Sequence, residues 1–305
     1  MSSDARAALA VAVFACVAFG PARALAQACC AAPSLLIPSR LQRHESLGVG
    51  LQLRGRGMFG AFAADGAYSG VSNGDVETAQ EVFASARLSS RAQVALLVPF
   101  VETHRRATGL SETGGGIGDL RLAAHVELTR DGERAYVPGL ALLVGASLPT
   151  GTAPDEASGL LAADATGTGA WEANLGLEVD RRFEHAFVTV AAAVGQRAPR
   201  EAQGVRQSFA PRFTAFASGG YVFASDVAVG IFATALRQGP ARDRAGVEIP
   251  DSALSLVTAG LAASLPVGDA WRGQATASLD CPVSGWGRNQ PTGAGLAVSL
   301  LRVWP

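Results

Sequence analysis

Lysine is missing from this chain of 305 residues: all 25 basic residues are arginine, set against 26 aspartates and glutamates, for a formal net charge of −1. A chain without basic excess offers no footing for a polyphosphate backbone, which excludes a nucleic-acid partner. The all-arginine usage is what a GC-rich coding bias produces and carries no further weight. Aromatic residues are scarce at 7%, and after the N-terminal region no apolar run approaches the ~20 residues a membrane-spanning helix needs. A helical membrane protein is therefore out. The four cysteines and four histidines show no ligand spacing, so no metal and no cofactor is expected. The stretch "GGGIGD" (114–119) is followed by neither a lysine nor a helix, which removes a phosphate-binding glycine loop.

What is present begins with an export signal. Arg6 supplies a charge, 7–20 an apolar run, Pro21 a break, and Ala24-Leu25-Ala26 an A-x-A site, which predicts cleavage after Ala26. Residues 1–26 are thus a signal peptide, 27–44 a periplasmic N-terminal segment and 45–305 the folded domain. Cys16 leaves with the signal, and Cys29, Cys30 and Cys281 remain, an odd number in an oxidising compartment. Cys29 and Cys30 are open to acylation, to a local or intermolecular disulfide, or to staying free.

The mature chain alternates. In "AWEANLGLEVD" (170–180), Trp171, Ala173, Leu175, Leu177 and Val179 take one side and Glu172, Asn174, Glu178 and Asp180 the other, the signature of a two-faced strand. Twelve such segments are predicted, at about 46–60, 77–88, 92–104, 118–129, 137–149, 171–182, 186–196, 208–223, 226–237, 252–266, 270–280 and 293–304. Their connections alternate strictly between short turns ("LSSRA", "FASD", "PVGDA") and long loops (61–76, 105–117, 150–170, 197–207, 238–251, 281–292). An up-and-down antiparallel sheet with that order has all its long loops at one end, as outer-membrane barrels do with short periplasmic turns and long external loops. A Greek-key sandwich has no reason to segregate its loops. Phe183, Phe187, Tyr221, Phe223, Trp271 and Trp304 lie by short turns and Phe59, Phe100, Trp171 and Phe209 by long loops, which predicts two aromatic girdles.

The expected fold is all-β: one antiparallel transmembrane β-barrel of about 12 strands in the outer membrane of a Gram-negative bacterium. Its apolar face turns to lipid and its polar face to a lumen. Lipid and, during biogenesis, the barrel-assembly machinery are its expected partners, with a small-molecule solute.

Three consecutive stretches, "GGGIGDLRLAAHVEL" (114–128), "PGLALLVGASLPTG" (138–151) and "ATGTGAWEANLGL" (165–177), resemble the outer-membrane family named for the meta-pathway of phenol degradation. The resemblance implies a barrel that passes aromatic or other hydrophobic compounds across the outer membrane; no binding residues carry over. Gly114, Gly115, Gly116 and Gly118 are expected to take positive φ in a loop re-entering the barrel.

The predicted phases give a lumen wall of mixed sign. The selectivity candidates are Arg54, Glu81, Arg87, Asp119, Arg121, His125, Glu127, Glu172, Asn174, Glu178, Arg212 and Arg272. Such a wall either sets a transverse field across a narrow channel or pairs its charges and plugs the centre. The expected function is a channel or uptake protein for small solutes, aromatic or hydrophobic ones among them, and not an enzyme. Two alternatives stand beside it. One is a structural or surface-binding barrel working through loops 150–170 and 238–251. The other is a rim hydrolase using His104 beside Glu102, Ser111 and Glu112.

Overall fold

The computed structural model describes residues 36, 39–70, 74–107, 109–133, 136–202 and 204–305, so the segment predicted to be a signal peptide, Cys29 and Cys30 lie outside the described residues. It contains sixteen strands and no helix among them. In chain order these are β1 (Leu47–Phe62), β2 (Tyr68–Gly70), β3 (Val76–Ser89), β4 (Ala92–Ala107), β5 (Leu110–Ile117), β6 (Leu120–Thr129), β7 (Gly139–Leu148) and β8 (Glu172–Phe183). There follow β9 (Ala186–Arg197), β10 (Arg200–Ala202), β11 (Val205–Gln207), β12 (Arg212–Val222), β13 (Ala228–Gln238), β14 (Leu254–Pro266), β15 (Trp271–Asp280) and β16 (Pro291–Trp304).

Twelve of these form the wall, each antiparallel to its sequence neighbour, and β16 returns to pair with β1 from Leu47↔Trp304 to Ala61↔Pro291. The sheet therefore closes and has no free edge, the condition for burying backbone in lipid. The other four strands decorate the long-loop end: β2 folds back on β1, β5 pairs with the upper half of β4, and β10–β11 is a separate hairpin.

Alternation decides the two faces. Leu175 and Leu177 are about half exposed while Glu172, Gly176 and Glu178, on the alternate positions, are buried. The same rhythm runs through β1, where Leu47, Val49, Leu51 and Leu53 stand outside and Gly48 and Gly50 inside. An outward leucine with no protein neighbour is tolerable only where lipid covers it, a transfer worth roughly 1.5–3 kcal/mol per side chain. Gly50 leaves room for Phe83, whose ring occupies the space a Cβ would take.

Three expectations are corrected. Gly114, Gly115 and Gly116 lie in β5 with ordinary strand dihedrals, and Gly118 is not at positive φ either. Two of them are small because neighbouring backbone comes close: a Cβ on Gly114 would stand 2.5 Å from the Asp164 backbone nitrogen, and one on Gly115 2.5 Å from the Val101 carbonyl oxygen. The loop expected at 105–117 is instead a continuation of the sheet, β4 running to Ala107 and β5 returning beside it. Phe187 belongs to no girdle: it faces inward and is buried with Ala228 and Val222. Trp304 does face outward, and Arg302 lies 5.0 Å from its ring and 5.7 Å from that of Trp271.

Candidate functional site

The inward positions of the twelve wall strands make three zones along the lumen. At the short-turn end the wall is charged, with Arg87 on β3, His125 and Glu127 on β6, Glu178 and Asp180 on β8, and Arg272 on β15. None of these charges faces open water alone, because residues 39–45 enter the barrel and meet them. Arg87 donates to the carbonyls of Gln42 (2.7 Å), Glu45 (2.9 Å) and Leu41 (3.0 Å). Arg40 bonds Glu127 at 2.9 Å and lies 3.5–3.6 Å from Glu178 and Asp180. Arg272 pairs with Glu45 and donates to the Arg40 carbonyl. The Leu41 N–H donates to the Gln93 side chain, and the Leu41 side chain is buried among the wall residues. His125 holds Glu178 at 3.2 Å from beneath. The segment brings a cation to three carboxylates and a carboxylate to an arginine, so charge complementarity seats it. That satisfies the rule that a buried charge be paired.

The middle zone is apolar. Leu143, Ala191, Phe216, Phe232 and Ala262 cluster on the inward faces of β7, β9, β12, β13 and β14, with Leu36 packed against them and the two phenyl rings stacked at 6.4 Å. A greasy patch inside a barrel whose outer face already satisfies the membrane is not required by the fold.

At the long-loop end charge returns. Glu172 is gripped by Arg197 at 3.0 Å and by Arg212. Arg54 lies 3.4 Å from Glu77 and 3.5 Å from Glu81, which also accepts from Gln52. Arg56 pairs with Asp280, itself bonded by Thr258 and the Gly293 N–H. Arg121 shares the inward face, is exposed, and has no bonded or ion-pair partner among the described residues. Asn174 lies inward beside Gly195. Asp119 serves the mouth: it accepts from the Gly151 and Thr168 N–H groups and the Thr168 hydroxyl. With Glu112, which accepts from the Leu161 and Ala163 N–H groups, it fastens the 149–171 loop against the inward face of the β4–β5 hairpin. Asp164 within that loop takes bonds from the Ser158 N–H and hydroxyl, which hold its carboxyl below the ordinary carboxylate value.

Eleven of the twelve residues chosen from the sequence share the inward face of the wall strands, and Asp119 is buried between β5 and β6, but they do not form one ring. Arg87, His125, Glu127, Glu178 and Arg272 hold the N-terminal segment; Arg54, Glu81, Arg121, Glu172 and Arg212 lie nearer the mouth. Sequence reasoning missed Arg40, Glu45, Arg56, Arg197, Phe216 and Phe232. Arg56 has the phase of Arg54 and was legible; Arg197 falls one residue past the predicted strand. Arg40 and Glu45 lie in a segment without periodicity and gave no signal. On the outer rim, Arg106 Nε donates to His104 Nε2 at 3.0 Å, leaving Nδ1–H to Thr113 at 2.7 Å. The ring is thus oriented by a threonine and an arginine rather than a carboxylate, and Ser111 is 3.5 Å away.

The family model described as "Putative MetA-pathway of phenol degradation" matches residues 63–300. The chain belongs to that family. Among solved structures, this phenol-degradation family member is similar to the COG4313 outer membrane channel from Pseudomonas putida F1, at 15% identity and a TM-score of 0.70, covering 87% of this chain and 99% of that one. Looser likenesses, each at a TM-score of 0.47, are to the translocator domain of autotransporter NalP from Neisseria meningitidis (14% identity, 85% and 88% covered) and to KdgM porin (7%, 84% and 99%). The fold is that of an outer-membrane β-barrel. No curated protein matches the sequence.

Proposed function

We propose that this barrel is an outer-membrane channel for small, weakly polar solutes, and that residues 39–45 are the gate at its periplasmic, short-turn end. The observation that carries the reading is the apolar zone around Phe216 and Phe232, set inside the lumen between two charged zones. A purely structural barrel gains nothing from phenyl rings on its inner wall that paired charges could not supply. A solute with an aromatic or alkyl body gains a place to leave water between mouth and gate. The paired carboxylates and guanidinium groups above it set a narrow polar entrance, to which Arg121 adds a cation without a partner among the described residues. The similar protein from Pseudomonas putida F1 is itself an outer membrane channel, which agrees with this reading.

Liposome swelling with the refolded chain provides the test, using a panel of aromatic, alkyl and sugar solutes of matched size. Aromatic solutes should permeate faster than sugars, and Phe216→Ser with Phe232→Ser should remove that preference while leaving the barrel folded. Equal permeation of all solutes, or of none, would overturn the proposal; Arg121→Ala and Glu172→Ala should change ion selectivity in planar bilayers.

A further inference from the structure

On the outer face, near the long-loop end, one cross-strand row breaks the apolar pattern. Phe213 on β12 is directly opposite Arg237 on β13, Arg237 is opposite Ser255 on β14, and Ser255 bridges to Arg288 in the loop between β15 and β16. Directly opposed residues of an antiparallel ladder share a face, with Cβ atoms ~5 Å apart. Phe213 is outward and 60% exposed, so the whole row is outward. Arg237 and Arg288 are exposed, and neither guanidinium has a partner among the described residues. Two like charges ~10 Å apart thus bracket an unbonded serine hydroxyl. The outward residues beside and beneath this row are apolar: Val194 and Leu175 continue it across β9 and β8, Leu177, Ala215 and Ala235 lie one step further from the loops, and together with Phe213 they line a hollow of about 990 Å³. The carboxylate at its edge, Asp65, accepts from the Ala67 N–H in its own turn through Oδ1.

We propose that this row is the headgroup site of a phosphorylated membrane lipid of the outer leaflet, with an acyl chain of the same molecule lying in the hollow. A phosphomonoester has three acceptor oxygens, enough for two guanidinium forks and a hydroxyl, and it neutralises the repulsion between Arg237 and Arg288. The height is right: Arg237 is the last outward residue of β13, after Val229, Ile231, Ala233 and Ala235, where the hydrocarbon gives way to headgroups. An arginine deeper on this face would cost about 2–4 kcal/mol; at the interface it costs almost nothing and is free to bind. The inference needs the membrane placement of the barrel but not its transport activity.

Native mass spectrometry of the full chain, refolded in a neutral detergent, tests it with diphosphorylated lipid A as the probe. The wild type should retain the phosphorylated lipid over its dephosphorylated form. R237Q/R288Q should lower retention about 25-fold, about fivefold per arginine, the equivalent of about 1 kcal/mol each. R302Q, an outward arginine at the opposite end, should leave retention unchanged, and heat-modifiable gel migration should show every variant folded. Equal retention of both lipids, or retention unaltered in the double variant, would overturn the proposal. So would displacement of the lipid by millimolar inorganic phosphate, which would make the row a site for a soluble anion.

Discussion

Replacing Arg87 with glutamine should open the barrel. The guanidinium makes three hydrogen bonds, all to carbonyl oxygens of the N-terminal segment and none to the wall. Its loss therefore removes restraint on the segment without unpairing a wall residue. Each such bond nets about 1 kcal/mol where water can reach the freed carbonyl, so the three together stabilise the seated segment by roughly 3 kcal/mol. A conformational equilibrium moves tenfold for every ~1.4 kcal/mol, which gives about a hundredfold rise in the ratio of open to closed channels. Single-channel recording in planar bilayers measures this ratio directly, and the effect should appear in open probability rather than in unit conductance, because Arg87 does not line the mouth. Glu45→Gln should move the ratio the same way through Arg272, and the two effects should fall short of additive because they hold one segment. An unchanged open probability in both variants, with the barrel intact, would refute residues 39–45 as a gate.

Other consequences follow from the same geometry. Leu177→Arg, in the middle of β8, places a charge on the lipid face and should weaken folding into vesicles by about 2–4 kcal/mol, read from urea titrations of tryptophan fluorescence. Gly114→Val drives a side chain into the Ala163–Asp164 backbone and should free the 149–171 loop, making it the first site of proteolytic nicking. The lowered pKa of Asp164 means that its hold on Ser158 is complete at neutral pH and persists below the ordinary carboxylate value of 3.8. That hold is lost only as pH falls through the folded value. Proteolysis of this loop by an acid protease should therefore rise with acidification, and Asp164→Asn should abolish the rise.

The strand count, the up-and-down order and the facing of nearly every side chain were legible because they rest on local signals. A period of two assigns Leu175 and Glu172 to opposite faces whatever surrounds them, and turn chemistry such as "FASD" marks where the chain reverses. The extension of β4 to Ala107 was missed because "GGGIGD" has the composition of a loop. Gly114 answers instead to the backbone of residues 163–164, nearly fifty positions away, and Gly115 to that of Val101 on the neighbouring strand. The inward turn of Phe187 was missed because aromatic residues near a turn suit a girdle as well as an interior, and only the phase of β9 separates the two.

What the sequence determined by itself was the wall: alternation is a property of neighbouring residues, and it fixes which atoms meet lipid. What fills the wall was decided by closure. Once β16 pairs with β1, the inward charges of β3, β6, β8 and β15 converge at distances set by the barrel's radius, and the aperiodic residues 39–45 become the counter-charges that let them stay buried. The row of Arg237, Ser255 and Arg288 has the same origin, since strand register alone brings together residues that are separated in the chain by loops.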